Sequence, residues 1–134
     1  MKILFNGFLV LLILLESCTK THPATDRVDP ALERTIRFQL YTNEDFSGDA
    51  SVITFSIFIR NAHTTLLDSS FASMEIKDIP GPDHKLVIEK TVSGSGNADL
   101  AAGFHYEIQN VGHSGYIDTS KAGNAFKVID YAFQ

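Results

Sequence analysis

The segment Val52–Arg60 reads VITFSIFIR, and its side chains alternate between two classes. The odd-numbered positions from 53 to 59 all carry large apolar side chains, whereas the positions between them are mixed. Because successive side chains of a β-strand point to opposite faces, this period of two predicts a strand with one fully apolar face. Val52 and Phe58 lie on the second face, so the strand is expected in the middle of a sheet with both faces at least partly covered.

Shorter runs with the same period occur on both sides of this segment. They are Ile36–Leu40, Met74–Lys77, Leu86–Glu89, Phe104–Gln109 and Phe126–Phe133. Clusters of Gly, Pro, Asn, Asp and Ser separate the runs, and such clusters are typical of turns. A helical period is nearly absent, and Ala98–Ala102 is the best candidate for a helical turn.

These runs predict an all-β fold, an antiparallel β-sandwich of about seven strands. We expect the sandwich to be immunoglobulin-like or transthyretin-like only in the loose sense, because the Cys and Trp markers of a true immunoglobulin domain are missing. A small closed barrel is the alternative. It is harder to build, since eight longer strands would have to fit into residues 35–134.

The composition supports one globular domain and argues against nucleic-acid binding. The chain has 134 residues, of which 44% are apolar and 20% are charged, as is ordinary for a packed protein. The 16 acidic and 11 basic residues give a formal net charge of −5. A basic surface for DNA or RNA is therefore not expected.

The first residues have the features of an export signal. Met1 and Lys2 give a positive start, and an apolar stretch follows from Ile3 to Leu15. Its unbroken part, Phe8 to Leu15, is too short to cross a hydrocarbon core of about 30 Å as a helix. The segment therefore predicts a secretory signal peptide rather than a membrane span.

The signal ends in Leu15-Glu16-Ser17-Cys18, and here the sequence resembles the precursors of bacterial lipoproteins. The resemblance implies cleavage between Ser17 and Cys18 and a diacylglyceryl thioether on the Cys18 sulfur. Glu16 stands where these precursors usually have a small or apolar residue. Cys18 is the single cysteine of the chain, so it has no disulfide partner within it.

This resemblance leads to a division of the chain and to a location. Residues 1–17 are the expected signal peptide, 18–34 a flexible tether and 35–134 the sandwich domain. Within the tether, Asp29 as cap and Pro30 at the first position could start a short helical turn over Asp29–Glu33. The resemblance also implies a bacterial cell-envelope protein that is held to the membrane by the lipid on Cys18. In the enteric sorting pattern, an aspartate directly after the lipidated cysteine retains a lipoprotein in the inner membrane. Thr19 stands at that position here, so the resemblance favours the outer membrane, with the domain facing the periplasm.

One loop carries a possible cation site. The segment Asn43–Asp49 places oxygen-bearing side chains at alternate positions ahead of Gly48, with Asn43, Asp45 and Asp49 as the candidate ligands. A calcium loop would require a bidentate Glu at the twelfth position, which is Thr54. A hydrogen-bonded turn is therefore favoured, and a weak cation site remains the alternative.

No motif predicts catalysis, a metal centre or a cofactor. A nucleophile elbow is missing, and the five histidines lack the short regular spacing of zinc ligands. His105 and Glu107 share one strand face and His113 follows in the expected loop, which is a weak pattern for a metal. We therefore expect a protein that is not an enzyme.

The functional expectation is a lipid-anchored envelope protein whose non-catalytic sandwich acts in partner binding, adhesion or assembly. Its partners would be the membrane, through the lipid on Cys18, and an unknown envelope protein or glycan. The alternative is a glycan- or cation-binding module that uses the Asn43–Asp49 loop.

Overall fold

The computed structural model of the protein describes residues 31–134, apart from the side chains of Ala31 and Ser95. This part of the chain contains eight strands and two short 3₁₀ turns, at Ile76–Asp78 and Pro82–His84. The strands are β1 (Ala31–Thr42), β2 (Val52–Arg60), β3 (Thr65–Ser70), β4 (Met74–Glu75), β5 (Leu86–Ser95), β6 (Leu100–Ile108), β7 (Gly112–Ser120) and β8 (Phe126–Phe133). Between residues 31 and 134, no helix has the length and apolar character needed to cross a bilayer.

The strands form two sheets that pack face to face. One sheet has the order β5-β1-β8, and the other has the order β3-β2-β6-β7, with β4 also paired to β2. All pairs are antiparallel except β1 with β8, which runs parallel from Thr35 opposite Phe126 to Thr42 opposite Phe133. The prediction of an all-β sandwich is confirmed. The parallel pair was not predicted, because alternation indicates a strand but not the direction of its neighbour.

The core lies between the two sheets and consists of the inward positions of the central strands. The odd-numbered positions of β2 from 53 to 59, which were predicted to face inward, are buried. This strand lies in the middle of its sheet, with β3 and β4 on one side and β6 on the other. Six aromatic rings pack together in this layer: Phe55, Phe104, Tyr106, Tyr116, Tyr131 and Phe133. The core thus fixes which faces of each sheet are left to solvent.

Two local expectations were wrong. Ala31–Glu33 belong to β1 and not to a helical turn, so β1 begins four residues before the expected domain start at Thr35. Leu100–Ala102 are the first residues of β6, because the sheet pairing outweighs the weak helical preference of the alanines.

The strand β8 has apolar side chains on both of its faces. Phe126 and Val128 face outward and are 48% and 38% exposed. Ile129 and Phe133 are buried, and Tyr131 packs edge-on against the ring of Phe104. The inward set of this strand is therefore the odd-numbered one.

A buried arginine closes one end of the core. Arg34 is 0% exposed, and its guanidinium donates hydrogen bonds of 2.5–3.0 Å to the carbonyl oxygens of Ala98, Ser120, Lys121 and Asn124. Burial lowers the pKa of Arg34, because a charged group loses its water. These bonds attach the start of β1 to three other parts of the chain.

Candidate functional site

The two ends of the sandwich carry different loops. We name the end where β1 begins the N-terminal pole, made of residues 61–64, 96–99 and 121–125. We name the other end the loop pole, made of residues 43–51, 76–85 and 109–111. The register fixes this division, since Ala31 pairs with Ser95, whereas the N–H of Thr42 donates to the Pro80 carbonyl at 3.0 Å. The length of β1 separates the poles by about 36 Å.

The predicted cation-binding loop lies at the loop pole and forms two Asx turns. The Asp45 carboxylate accepts the N–H of Ser47 at 3.0 Å, and the Asp49 carboxylate accepts the N–H of Ser51 at 2.8 Å. Hydrogen bonds from the hydroxyl and N–H of Ser51 lower the pKa of Asp49, and those from the N–H and hydroxyl of Ser47 lower the pKa of Asp45, because they stabilise the charged form. Both side chains therefore keep their negative charge in mildly acidic solution.

The three candidate ligands do not share one cavity. Asn43 and Asp45 line an open cleft of about 360 Å³, together with Glu44 and Lys77. Asp49 lines a neighbouring pocket instead. Across residues 31–134, no three His, Cys, Asp or Glu side chains are grouped so that they could hold a metal ion. The lysine ammonium in the cleft also disfavours a cation there.

The neighbouring pocket is mainly apolar and lies between the two sheets at the loop pole. We call it the apolar pocket; its volume is about 150 Å³. Asp49 and Gln134 add polar groups to its lining, and Val111, which is 75% exposed, is its most accessible apolar residue. The other lining residues are Phe46, Ile53, Ile76, Ile79, Tyr106, Ile108 and Phe133.

The loop pole is acidic, whereas the N-terminal pole is balanced. Residues 43–51, 76–85 and 109–111 contain five carboxylates and two lysines. Residues 61–64, 96–99 and 121–125 contain one carboxylate and one lysine, Asp99 and Lys121, which pair at 2.9 Å. Negative charge is therefore concentrated around the apolar pocket.

The two lysines of the loop pole already have carboxylate partners outside these loops. Lys77 pairs with Glu75 of β4 at 2.5 Å, and Lys85 pairs with Asp130 of β8 at 2.8 Å. The Lys85 ammonium also lies 4.2 Å from the ring centre of Tyr41. The five carboxylates of the loops are thus largely uncompensated.

The outer face of the five-stranded sheet carries the histidines that the sequence singled out. The register places Glu107 opposite His113, so His113 belongs to β7 and not to a loop. The ring of His105 stacks on the ring of Phe58, with centroids 4.9 Å apart and planes at 24°. This stack lies at an open depression of about 320 Å³ that His113 also lines.

Two glycines make room for this stack. A Cβ at Gly103 would lie 2.1 Å from the carbonyl oxygen of Tyr116 and 2.8 Å from the ring of Phe58. A Cβ at Gly115 would lie 2.9 Å from Nδ1 of His105. The rings therefore cover glycine backbone, an arrangement that compensates for the missing side chains of a sheet.

The expected lipid attachment residue precedes the part of the chain that the structure describes. Cys18, the expected signal peptide 1–17 and residues 18–30 of the expected tether lie outside the described residues. Only residues 31–34 of that tether are described, and they form the start of β1.

Comparison with known protein families, with curated proteins and with solved structures finds no match for this chain. The assignment of a function therefore depends on the residues and their geometry.

Sequence reasoning missed the apolar pocket and the role of Arg34. The pocket is lined by residues of β2, β6 and β8 and of the loops between strands. No local sequence pattern predicts that these residues come together. Arg34 was assigned to the flexible tether, since a single sequence does not show which charged residue is buried. The carboxylates of residues 43–51 and 76–85 can be read from the sequence, but only the fold shows that these loops lie at the same end of the sandwich.

Proposed function

We propose that this protein is a lipid-anchored cell-envelope protein whose β-sandwich is a non-catalytic binding module, and that it binds its partner at the loop pole. The observation that carries the proposal is the direction of β1. Cys18 precedes Ala31 by 13 residues, and Ala31 lies at the N-terminal pole. A lipid on Cys18 would attach the domain to the bilayer through its N-terminal pole, and this attachment favours the loop pole as the end that binds a partner.

The anchor would be a diacylglyceryl group on the Cys18 sulfur, with the domain facing the periplasm from the outer membrane. One acyl chain gives only marginal attachment, whereas two or more chains hold a protein stably. No basic patch is then needed to keep the protein at the membrane.

Loops at the end of a sandwich are suited to recognition because a rigid framework positions them. The loop pole adds two features to this general argument, an open cleft of about 360 Å³ and the apolar pocket of about 150 Å³. Both lie beside the loop 43–49.

A second candidate is a glycan- or cation-binding module. The cleft supports glycan binding, because Asn43, Glu44 and Asp45 supply oxygen-bearing side chains to one cavity, whereas its Lys77 ammonium disfavours a cation. A glycan array and calorimetry with calcium, both on the wild-type chain and on Asp45→Asn, test this candidate. Heat or glycan binding that the variant abolishes would favour it over protein recognition.

Site-specific photocrosslinking in cells tests the main proposal. A photoreactive amino acid is placed at Ser47 of the loop pole or, as the matched control, at Ala62 of the N-terminal pole; both residues are exposed. We expect a discrete crosslinked product from position 47 and none from position 62. Crosslinks from position 62 alone, or from neither position, would contradict binding at the loop pole.

A further inference from the structure

The two ends of the core differ in how they are closed. At the N-terminal pole, the guanidinium of Arg34 fills the end of the core and is hydrogen-bonded to the surrounding carbonyl groups. At the loop pole, the apolar pocket leaves about 150 Å³ between the sheets. The difference indicates that the open end is available for a ligand.

We propose that the apolar pocket binds one large apolar side chain carried by a positively charged segment of a partner protein. This inference rests on the proposed function, which puts the partner at the loop pole, and it adds the chemistry of that partner.

The size and lining of the pocket support a single side chain. A dry cavity of about 150 Å³ lined by Leu, Ile and Phe can hold a molecule the size of benzene. The pocket has a similar volume, and Ile53, Ile76 and Phe133 form buried parts of its wall. A large aliphatic or aromatic side chain therefore matches it, in the way that an anchor residue fills a pocket at the centre of an interface.

The charge around the pocket supports a basic segment. The loops of the loop pole carry five carboxylates, and their two lysines are already paired with Glu75 and Asp130. One of the carboxylates, that of Asp49, lines the pocket itself. Complementary charge favours a cationic partner and disfavours an anionic one.

The same charge argues against a second copy of this chain as the occupant. Each copy has a formal net charge of −5, and two loop poles would bring their carboxylates together. Self-association is therefore an outcome that would overturn the proposal.

The test uses synthetic peptides as probes of the full-length chain in detergent micelles. The first probe is Lys-Lys-Phe-Lys-Lys, and the matched controls are Lys-Lys-Ala-Lys-Lys and Glu-Glu-Phe-Glu-Glu, all with blocked termini. Methyl NMR of Ile53, Ile76 and Ile108 reports on the pocket. We expect low-millimolar lysine-phenylalanine peptide to shift these resonances and both controls to bind at least about tenfold more weakly, a factor that corresponds to 1.4 kcal/mol.

Two variants separate the contribution of the apolar pocket to peptide binding from the contribution of the charge around it. Val111→Trp at the mouth of the pocket should abolish the shifts, whereas Val87→Trp, an exposed position on the outer face of the other sheet, should leave them unchanged. Asp49→Asn keeps an oxygen that can accept the Ser51 N–H but removes the charge, so it should weaken binding and flatten its salt dependence.

The outcomes distinguish this inference from the proposed function. If position 47 crosslinks to a partner but the lysine-phenylalanine peptide shifts none of the three isoleucines, the partner chemistry is wrong and loop-pole binding stands. Equal binding of the acidic peptide, or a dimer that Val111→Trp dissociates, would also overturn the inference. If neither position crosslinks, the proposed function itself fails, whatever the peptides do.

Discussion

Arg34 donates hydrogen bonds to both oxygen atoms of Ser120, 2.7 Å to the carbonyl and 2.9 Å to the hydroxyl. Both residues are at most 1% exposed, although Arg34 lies near the start of β1 and Ser120 ends β7, and these strands belong to different sheets. This contact joins the two sheets at the N-terminal pole by polar bonds rather than by apolar packing. The described part of the chain begins at the same pole, with Ala31.

Replacing the buried guanidinium should destabilise the domain strongly. Arg34→Met leaves buried carbonyl oxygens without their donor, and each such loss costs about 1–3 kcal/mol. We expect the free energy of unfolding to fall by roughly 3 kcal/mol or more, measured by urea denaturation. The matched control is Arg37→Met, which removes an exposed ion pair with Glu89 and should cost at most about 1 kcal/mol. Equal losses for the two variants would show that Arg34 does not close the core.

A methyl group at Gly103 should disturb the outer face of the five-stranded sheet. A Cβ there would collide with the Tyr116 carbonyl and with the ring of Phe58, and overpacking of this kind costs about 1–3 kcal/mol. We expect Gly103→Ala to lower the midpoint of thermal unfolding. Gly48→Ala is the control, because no heavy atom lies within 4 Å of the added Cβ, and its midpoint should stay the same or rise slightly. An unchanged midpoint for Gly103→Ala would contradict the close approach of β6 and β7.

Acid should weaken the N-terminal pole through Asp99. Hydrogen bonds from Lys121 and from the N–H of Ala122, at 2.9 and 2.8 Å, lower the pKa of this carboxyl group in the folded protein. A carboxyl group whose pKa is lowered by folding stabilises the protein above the pKa of the unfolded chain, about 3.9. That stabilisation is lost as the pH falls through the lower pKa of the folded state.

The pH dependence can be measured with an isosteric variant. Asp99→Asn keeps the oxygen that accepts the Ala122 N–H but cannot titrate, so its stability should fall less steeply than that of the wild type between pH 5 and about pH 2. Lys121→Met removes the largest cause of the lowered pKa and should also flatten the profile. Parallel profiles for all three proteins, followed by urea unfolding, would exclude Asp99 as a contributor.

The parts of the fold that could be predicted are those with a strong local pattern. The inward face of β2 follows directly from four apolar positions spaced by two, and the sandwich follows from several such runs. The strand β7 was missed because its sequence, GHSGYIDTS, has glycine, serine and histidine where a central strand would have apolar residues. Its pairing with β6 and the contact of Tyr116 with Phe104 hold it in the sheet despite this sequence.

The candidate site was less predictable than the fold. The segment Asn43–Asp49 showed a turn rich in oxygen-bearing side chains, and the structure has two Asx turns there. The apolar pocket beside it depends on Ile76, Tyr106 and Phe133, which are distant in sequence and meet only because of the sheet order. Local patterns do not contain that order, so the pocket and its acidic surroundings appear only in three dimensions.

The lipid on Cys18 is proposed to hold this protein at the membrane, and fractionation of cells tests that proposal. The wild-type chain and Cys18→Ser are produced at equal levels, and membranes are separated from soluble proteins and washed with high salt. We expect the wild type to stay with the membranes until detergent is added, and we expect Cys18→Ser in the soluble or periplasmic fraction. If Cys18→Ser stays with the salt-washed membranes like the wild type, the lipid on Cys18 is not what holds this protein there.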